Sequence, residues 1–292
     1  MSQAPEARVF DAYYFQHSCG RPYSRSPEWL QFFDAIAERI VREIEPRTVL
    51  DAGCAMGFLV EALRGRGVEA FGLDISEYAI SHVREDLKPY CRVGSVIDPT
   101  PRRYDLVVCI EVLEHLSPPD GERAIAQICR ATEDVLFSST PLDYREATHF
   151  NVQPPEYWSD LFAAHGYVRD VDFDAAFITP WAARFRLNRD PWRRVLRDYE
   201  RRFWVLWKEN ADLRGLALEL RNQVAADERT VQTLQAQVAR QQQQLDDVTR
   251  SPSWRLAQFL QRTRLAFAPP GSRRVRMLDR IVERFSGDRT GR

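Results

Sequence analysis

The chain has 292 residues, 44% of them hydrophobic, enough for one or two domains with a buried core and too many for a peptide. Lys and Arg total 41 against 42 Asp and Glu, and the net charge of −1 argues against a protein that is basic throughout. No run of 18 apolar residues occurs, MSQAPEARVF lacks the core of a signal peptide, and the five cysteines include no C-x-x-C pair. Membrane spans, export, a disulfide framework and structural zinc are all disfavoured, and the chain reads as cytoplasmic.

In chain order, Ser26 and Pro27 open a helix over residues 26–45, in which Trp29, Phe32, Phe33, Ile36, Ile40 and Ile44 recur at helical spacing. After Pro46, short apolar runs alternate with helical stretches: TVLDAG, FLVEALRGRG, EAFGLDI, SEYAISHVRED, YDLVVCIE, GERAIAQICRA and EDVLFSSTP. This alternation predicts an α/β fold with a parallel sheet covered on both faces. VRDVDFD and AAFITPWAARFRL read as two further strands between Val168 and Leu187.

From Leu196 to Val248 one heptad register is unbroken. Position a holds Leu196, Phe203, Asn210, Ala217, Val224, Val231, Val238 and Leu245, and position d holds Tyr199, Leu206, Leu213, Leu220, Asp227, Leu234, Gln241 and Val248. Val at a with Leu at d predicts a homo-oligomeric coiled coil, a parallel dimer first, and a single long helix is the plainer alternative. Ser251-Pro252 ends the helix, and SWRLAQFLQRTRLAF and RRVRMLDRIVERF follow as amphipathic segments. Residues 251–292 carry ten Arg against three acids, a net +7 that suits an anionic inner-membrane surface or an acidic protein partner; a hairpin capping the coiled coil is the alternative. The expected divisions are an N-terminal lid and helix (1–45), the α/β domain (46–190), the coiled coil (191–250) and the basic tail (251–292).

Thr48–Leu63, TVLDAGCAMGFLVEAL, runs from strand through a glycine turn into a helix. Gly53 lets the backbone turn and approach a ligand, and Gly57 lets the helix start close to the sheet. The run is neither G-x-G-x-x-G nor a phosphate loop, which favours a nucleoside over a bound phosphate. One strand later, Asp74 is placed to accept hydrogen bonds from ribose hydroxyls.

With these motifs, residues 20–187 resemble the class I S-adenosylmethionine-dependent methyltransferases. Asp51, Gly53 and Gly57 match the family's first motif, Asp74 its ribose-binding acid and YDLVVCIEVLEHL its fourth-strand motif. The resemblance implies a Rossmann-like domain with a mostly parallel seven-stranded sheet and S-adenosylmethionine as cofactor. Two positions depart from the pattern: Ala55 replaces the usual middle glycine, and Ser95 stands where an Asp often contacts adenine. In CGRPYSRSPEW, Arg25 is a candidate for the methionine carboxylate and Tyr23 for closing the side of the site, although both also fit plain surface roles.

Methyl transfer to a hydroxyl requires donor and acceptor in line and a group that removes a proton. Just past the fourth strand, Glu111, Glu114 and His115 converge if the turn is helical, and His149 enters from the loop after the fifth strand. This pattern is similar to that of small-RNA 3′-terminal 2′-O-methyltransferases and ubiquinone-pathway O-methyltransferases. That likeness implies a divalent ion, Mg²⁺, Mn²⁺, Fe²⁺ or Co²⁺, on Glu111, Glu114, His115 and His149. A metal-free general base at His149 or His115, or a structural role, remain the alternatives.

The catalytic half lacks a basic stripe with interleaved aromatics, so nucleic acid is not an expected partner. SPSWRLAQFLQRTRLAF resembles the tails that follow coiled coils in bacterial surface-polysaccharide glycosyltransferases and their associated methyltransferases. This implies a sugar hydroxyl of an O-antigen-type glycan as acceptor, with a glycosyltransferase as a candidate partner. The alternatives are a small-molecule O- or N-methyltransferase, with a quinone-like or sugar-nucleotide acceptor, and a catalytically dead scaffold.

Overall fold

The computed structural model describes residues 9–267, 272–277 and 280. It divides into two units, Met1–Val205 and Leu206–Arg292.

The first unit opens with α1 (Ala12–His17), capped by Asp11, whose side chain accepts the Tyr13 and Tyr14 amides. Next comes α2 (Pro27–Glu43), with Ser26 as N-cap and Pro27 in its first turn, as the sequence predicts. The chain then alternates through β1 (Thr48–Ala52), α3 (Phe58–Arg64), β2 (Glu69–Asp74), α4 (Glu77–Ser81), β3 (Cys91–Val93), β4 (Leu106–Ile110), α5 (Pro118–Ala131), β5 (Asp134–Ser138) and α6 (Pro155–Ala164). Two strands follow, β6 (Tyr167–Arg169) and β7 (Ala183–Leu187). All seven form one sheet in the order β3-β2-β1-β4-β5-β7-β6. Pairing is parallel from β3 to β5 and antiparallel at β5–β7 and β7–β6.

The central strands are apolar runs because both their faces are covered. Val49, Leu106, Val108 and Leu136 pack with Ile36, Ile40, Leu59 and Leu63 of α2 and α3. On the other face, Leu50, Val107, Cys109 and Val135 pack with Ile125 and Ile128 of α5 and Trp158 and Phe162 of α6. The strand order reverses between β1 and β4, so the loops leaving their carboxyl ends diverge and open a crevice there.

The segment between β6 and β7 departs from the expected pair of long strands, because residues 170–182 are not extended. Asp170 accepts the Asp172 amide and Asp174 the Ala176 amide, local bonds that replace a ladder. Ala175, Ile178 and Ala182 are instead buried against the α2 side of the core.

The helix predicted from the heptads is present as α7 (Trp192–Arg250). Its opening turns belong to the first unit, where Arg201 donates to both carboxylate oxygens of Asp172 at 2.9 and 2.7 Å. In the second unit α7 runs to Arg250, and Ser251 caps α8 (Pro252–Phe267) by accepting the Trp254 amide. No residue of α7 is buried, and Leu213, Val224 and Leu234 are 65%, 56% and 53% exposed. The described structure is thus a long helix with an open apolar seam. Of the second tail segment, residues 273–277 and 280 are helical, and 281–292 lie outside the described residues. Among the described residues, no helix is long and apolar enough to cross a membrane.

Candidate functional site

A cavity of about 410 Å3 lies at the carboxyl edge of β1, β2 and β4. Its walls include Asp51, Gly53, Ala55, Asp74, Ser95, Glu111, Glu114, His115 and His149, with Tyr14, Phe15 and Tyr23 from the N-terminal segment.

The glycine turn is shaped by close approach and by backbone sign. Gly53 has φ +93°, and a Cβ there would lie 2.2 Å from Val112 Cγ2, so the β1 turn passes directly against the β4 loop. Gly57 has φ +74°, and a Cβ would meet Cys91 Sγ at 3.2 Å. Ala55, between them, holds φ +45° without being glycine, a strained conformation fixed by its amide, which donates to Asp74 Oδ2 at 2.8 Å. The Ser76 amide donates to Asp74 Oδ1 at 2.8 Å, so two backbone amides orient this carboxylate at the cavity wall. Burial raises Asp74 above the usual carboxylate range, and burial together with the Asp74 charge pushes Asp51 up to about 8. Ser95 follows β3 and lines the same cavity.

Of the two residues expected in the lid, Tyr23 lines the cavity and Arg25 does not. Tyr23 stacks on Phe58, with ring centroids 5.3 Å apart, and burial holds its phenol well above its ordinary pKa. Arg25 is corrected. Its guanidinium makes a bidentate pair with Glu61 of α3, at 2.6 and 2.7 Å, which turns its charge away from the crevice.

Glu114, His115 and His149 bring ligand atoms within 4.8 Å of one another. Glu114 is fully buried; Ser139 Oγ donates to it at 2.9 Å, while burial and the neighbouring Glu111 carboxyl raise its pKa. His149 Nδ1 lies 2.9 Å from the Asp143 carbonyl, which can only accept, so this nitrogen carries a proton and Nε2 is the atom that can offer a lone pair. The Thr148 hydroxyl donates to Glu146 and therefore accepts from His115 Nδ1, 2.9 Å away, leaving His115 Nε2 to accept from Tyr14 Oη at 3.3 Å. Burial, with His149 second, pulls His115 down to about 4, so the ring is neutral at neutral pH. Glu114 and the two imidazole Nε2 atoms, that of His115 shared with Tyr14 Oη, fit a divalent cation.

Glu111, expected as a fourth ligand, is not part of this group. Helical turn geometry covers only Leu113–His115, while Glu111 sits at the end of β4 with φ +53° and its carboxylate accepts Trp181 Nε1 at 2.9 Å. Tyr14, Thr148, Glu146, Asp143 and Trp181 position the site and were not identified from the sequence. Polar residues at irregular spacing in loops carry no periodic signal.

Residues 24–171 match the family described as "Methyltransferase domain". Among curated relatives, the ubiquinone biosynthesis O-methyltransferase of Azoarcus sp. (strain BH72) is 31% identical over 139 residues, covering 43% of this chain and 58% of that one. The protein of the same name from Alkalilimnicola ehrlichii is 32% identical over 105 residues, covering 33% and 42%. The matches thus span about half the length of these relatives. Among solved structures, a protein of Pyrococcus horikoshii OT3 is 18% identical with a TM-score of 0.48, covering 61% of this chain and 100% of that one. Magnesium protoporphyrin IX methyltransferase from Synechocystis PCC 6803 with bound SAM is 15% identical with a TM-score of 0.47, covering 64% and 100%.

Proposed function

Because the chain belongs to the methyltransferase domain family, matched over residues 24–171, we propose that it transfers a methyl group from S-adenosylmethionine to a hydroxyl of a small-molecule acceptor. One observation carries this reading: Asp74 and the Glu114, His115 and His149 group open onto a single cavity at the point where the strand order reverses.

In this reading Asp74, oriented by the Ala55 and Ser76 amides, holds the ribose of the donor, and Gly53, Cys54 and Ala55 form the wall beside it, while Gly57 lies outside the lining. Phe15, Tyr14 and Tyr23 cover the cavity and exclude water from the reacting atoms. Glu114, His115 and His149 would hold a divalent cation, which when bound supplies Lewis-acid activation of the acceptor hydroxyl. Asp143 and Thr148 take the Nδ1–H of each imidazole, so Nε2 of each is the nitrogen left to act. Without a metal, His149 Nε2 is the atom that takes the acceptor proton.

The sugar-hydroxyl acceptor expected from the sequence rests on about fifteen tail residues outside the matched domain. The curated relatives named for an acceptor pathway belong to ubiquinone biosynthesis, and they support the quinone-like alternative. The arginines of residues 251–292 support contact between the tail and an anionic membrane surface or an acidic partner.

A radiolabelled methyl-transfer assay tests the reading, with catechols, free sugars, sugar nucleotides and purified glycan as acceptors, before and after chelation and with added Mn²⁺ or Mg²⁺. Label on the catechol alone supports the small-molecule acceptor, and label on glycan alone replaces it. Turnover unaffected by chelation removes the metal.

A further inference from the structure

We infer that residues 206–248 pair two copies of this chain into a parallel, in-register coiled coil. The inference is independent of the proposed chemistry and starts from the face of α7 that nothing in the described structure covers.

Thirteen a and d positions fall between Leu206 and Val248, and ten of them are apolar. Those ten include Val224, Val231 and Val238 at a and Leu206, Leu213, Leu220 and Leu234 at d, the combination that favours two strands over three or four. Seven of these side chains are between 48% and 65% exposed, an apolar stripe along six heptads that a stable chain in water covers. A helix of this length also draws most of its stability from packing rather than from propensity.

The polar core positions Asn210 and Gln241 are self-matched in a parallel second copy. In a parallel, in-register pair Asn210 meets Asn210 and Gln241 meets Gln241, so like amides hydrogen-bond across the seam. The antiparallel register that overlaps residues 210–248 fully sets Asn210 opposite Val248, Asp227 opposite Val231 and Gln241 opposite Ala217, whereas the register shifted by one heptad pairs Asn210 with Gln241, so the cysteine variant below is what fixes direction.

The flanking positions agree. In the parallel pair, Glu209 at g faces Arg214 of the partner subunit at e, twice per dimer. Gln223 faces Glu228 of the partner subunit and Gln237 faces Gln242 of the partner subunit, with no like charges opposed. The fully overlapped antiparallel pair sets Glu228 against its own copy. Asp227 is the one unfavourable core position of the parallel dimer, and Gln223 Nε2 donates to its Oδ1 at 3.0 Å, drawing the carboxylate toward the g side.

Sedimentation equilibrium of the full chain at micromolar concentration is expected to give twice the chain mass. The double variant Val231→Asp/Leu234→Asp is expected to give the single chain mass; both side chains are exposed in one chain, so their replacement removes no internal packing. Val224→Cys fixes direction, since the native cysteines all lie between residues 19 and 129. Under mild oxidation this variant is expected to form a covalent dimer that the unsubstituted chain does not form. A monomeric, trimeric or tetrameric unsubstituted chain would overturn the inference, as would a dimer that survives the double Asp variant or a Val224→Cys chain that stays uncrosslinked.

Discussion

The Tyr14 hydroxyl lies 3.3 Å from Nε2 of His115, although 101 residues separate the two in sequence. The short helix α1 thus reaches over the cavity and occupies the same nitrogen that a metal or an acceptor proton would use. Access to His115 and the seating of the N-terminal segment are therefore one event. Tyr14→Phe removes the competing hydrogen bond, a contribution of about 1 kcal/mol, and should raise Mn²⁺ affinity by roughly fivefold. Calorimetric titration of cofactor-free protein measures this, and equal affinities would show that the phenol does not compete.

The three-residue donor set separates two glutamates that look equivalent in the sequence. Glu114→Gln and His149→Ala should each weaken Mn²⁺ binding by at least about tenfold. Glu111→Gln leaves the three ligands in place and removes the carboxyl that raises Glu114, so it should strengthen Mn²⁺ binding slightly rather than weaken it. Electron paramagnetic resonance of free Mn²⁺ in titrations of the three variants distinguishes them.

Stability should depend on pH through Asp51. Burial first and Asp74 second push this carboxyl up to about 8, whereas an unfolded carboxyl titrates near about 4. The folded chain therefore binds the proton more tightly, and the stability this contributes is complete below about pH 4 and lost as the pH rises through about 8. Asp51→Asn should flatten the fall in melting temperature between pH 5 and pH 8. Parallel slopes for the two proteins in scanning calorimetry would contradict the assignment.

Gly53 and Val112 should be coupled. Gly53→Ala places a methyl group 2.2 Å from Val112 Cγ2 on a backbone at φ +93°, at a cost of roughly 2–4 kcal/mol. Val112→Ala in the same chain relieves the collision but not the backbone strain, so a double-mutant cycle in urea should show about 1 kcal/mol of coupling. Additive losses would mean that the turn moves aside.

The sequence revealed the parts of the fold that repeat. Apolar runs such as LVVCI and TVLDA and the Ser26-Pro27 helix start are local signals, and the strands and α2 lie where they point. The three-residue β3 is an edge strand with only Cys91 buried, too short for a pattern. The two-strand reading of 168–187 missed that Asp170 and Asp174 bond their own backbone. At the site, the spacing of Glu111, Glu114 and His115 suggested one helical face, but Glu111 has a left-handed backbone and its carboxylate bonds Trp181, outside the three-ligand group although still beside Glu114. Arg25 found Glu61, a partner 36 residues away that no local pattern announces.

The cavity wall includes Asp51, Asp74, Glu111, Glu114 and Asp143 and, among the described residues, no Lys or Arg. If the donor is a sulfonium, turnover converts a cation into a neutral thioether within this acidic enclosure. The spent nucleoside then loses an attraction that fresh donor retains, and acids that burial already biases toward their protonated forms no longer have a cation to hold them ionised. An enzyme built this way resists choking on its own by-product.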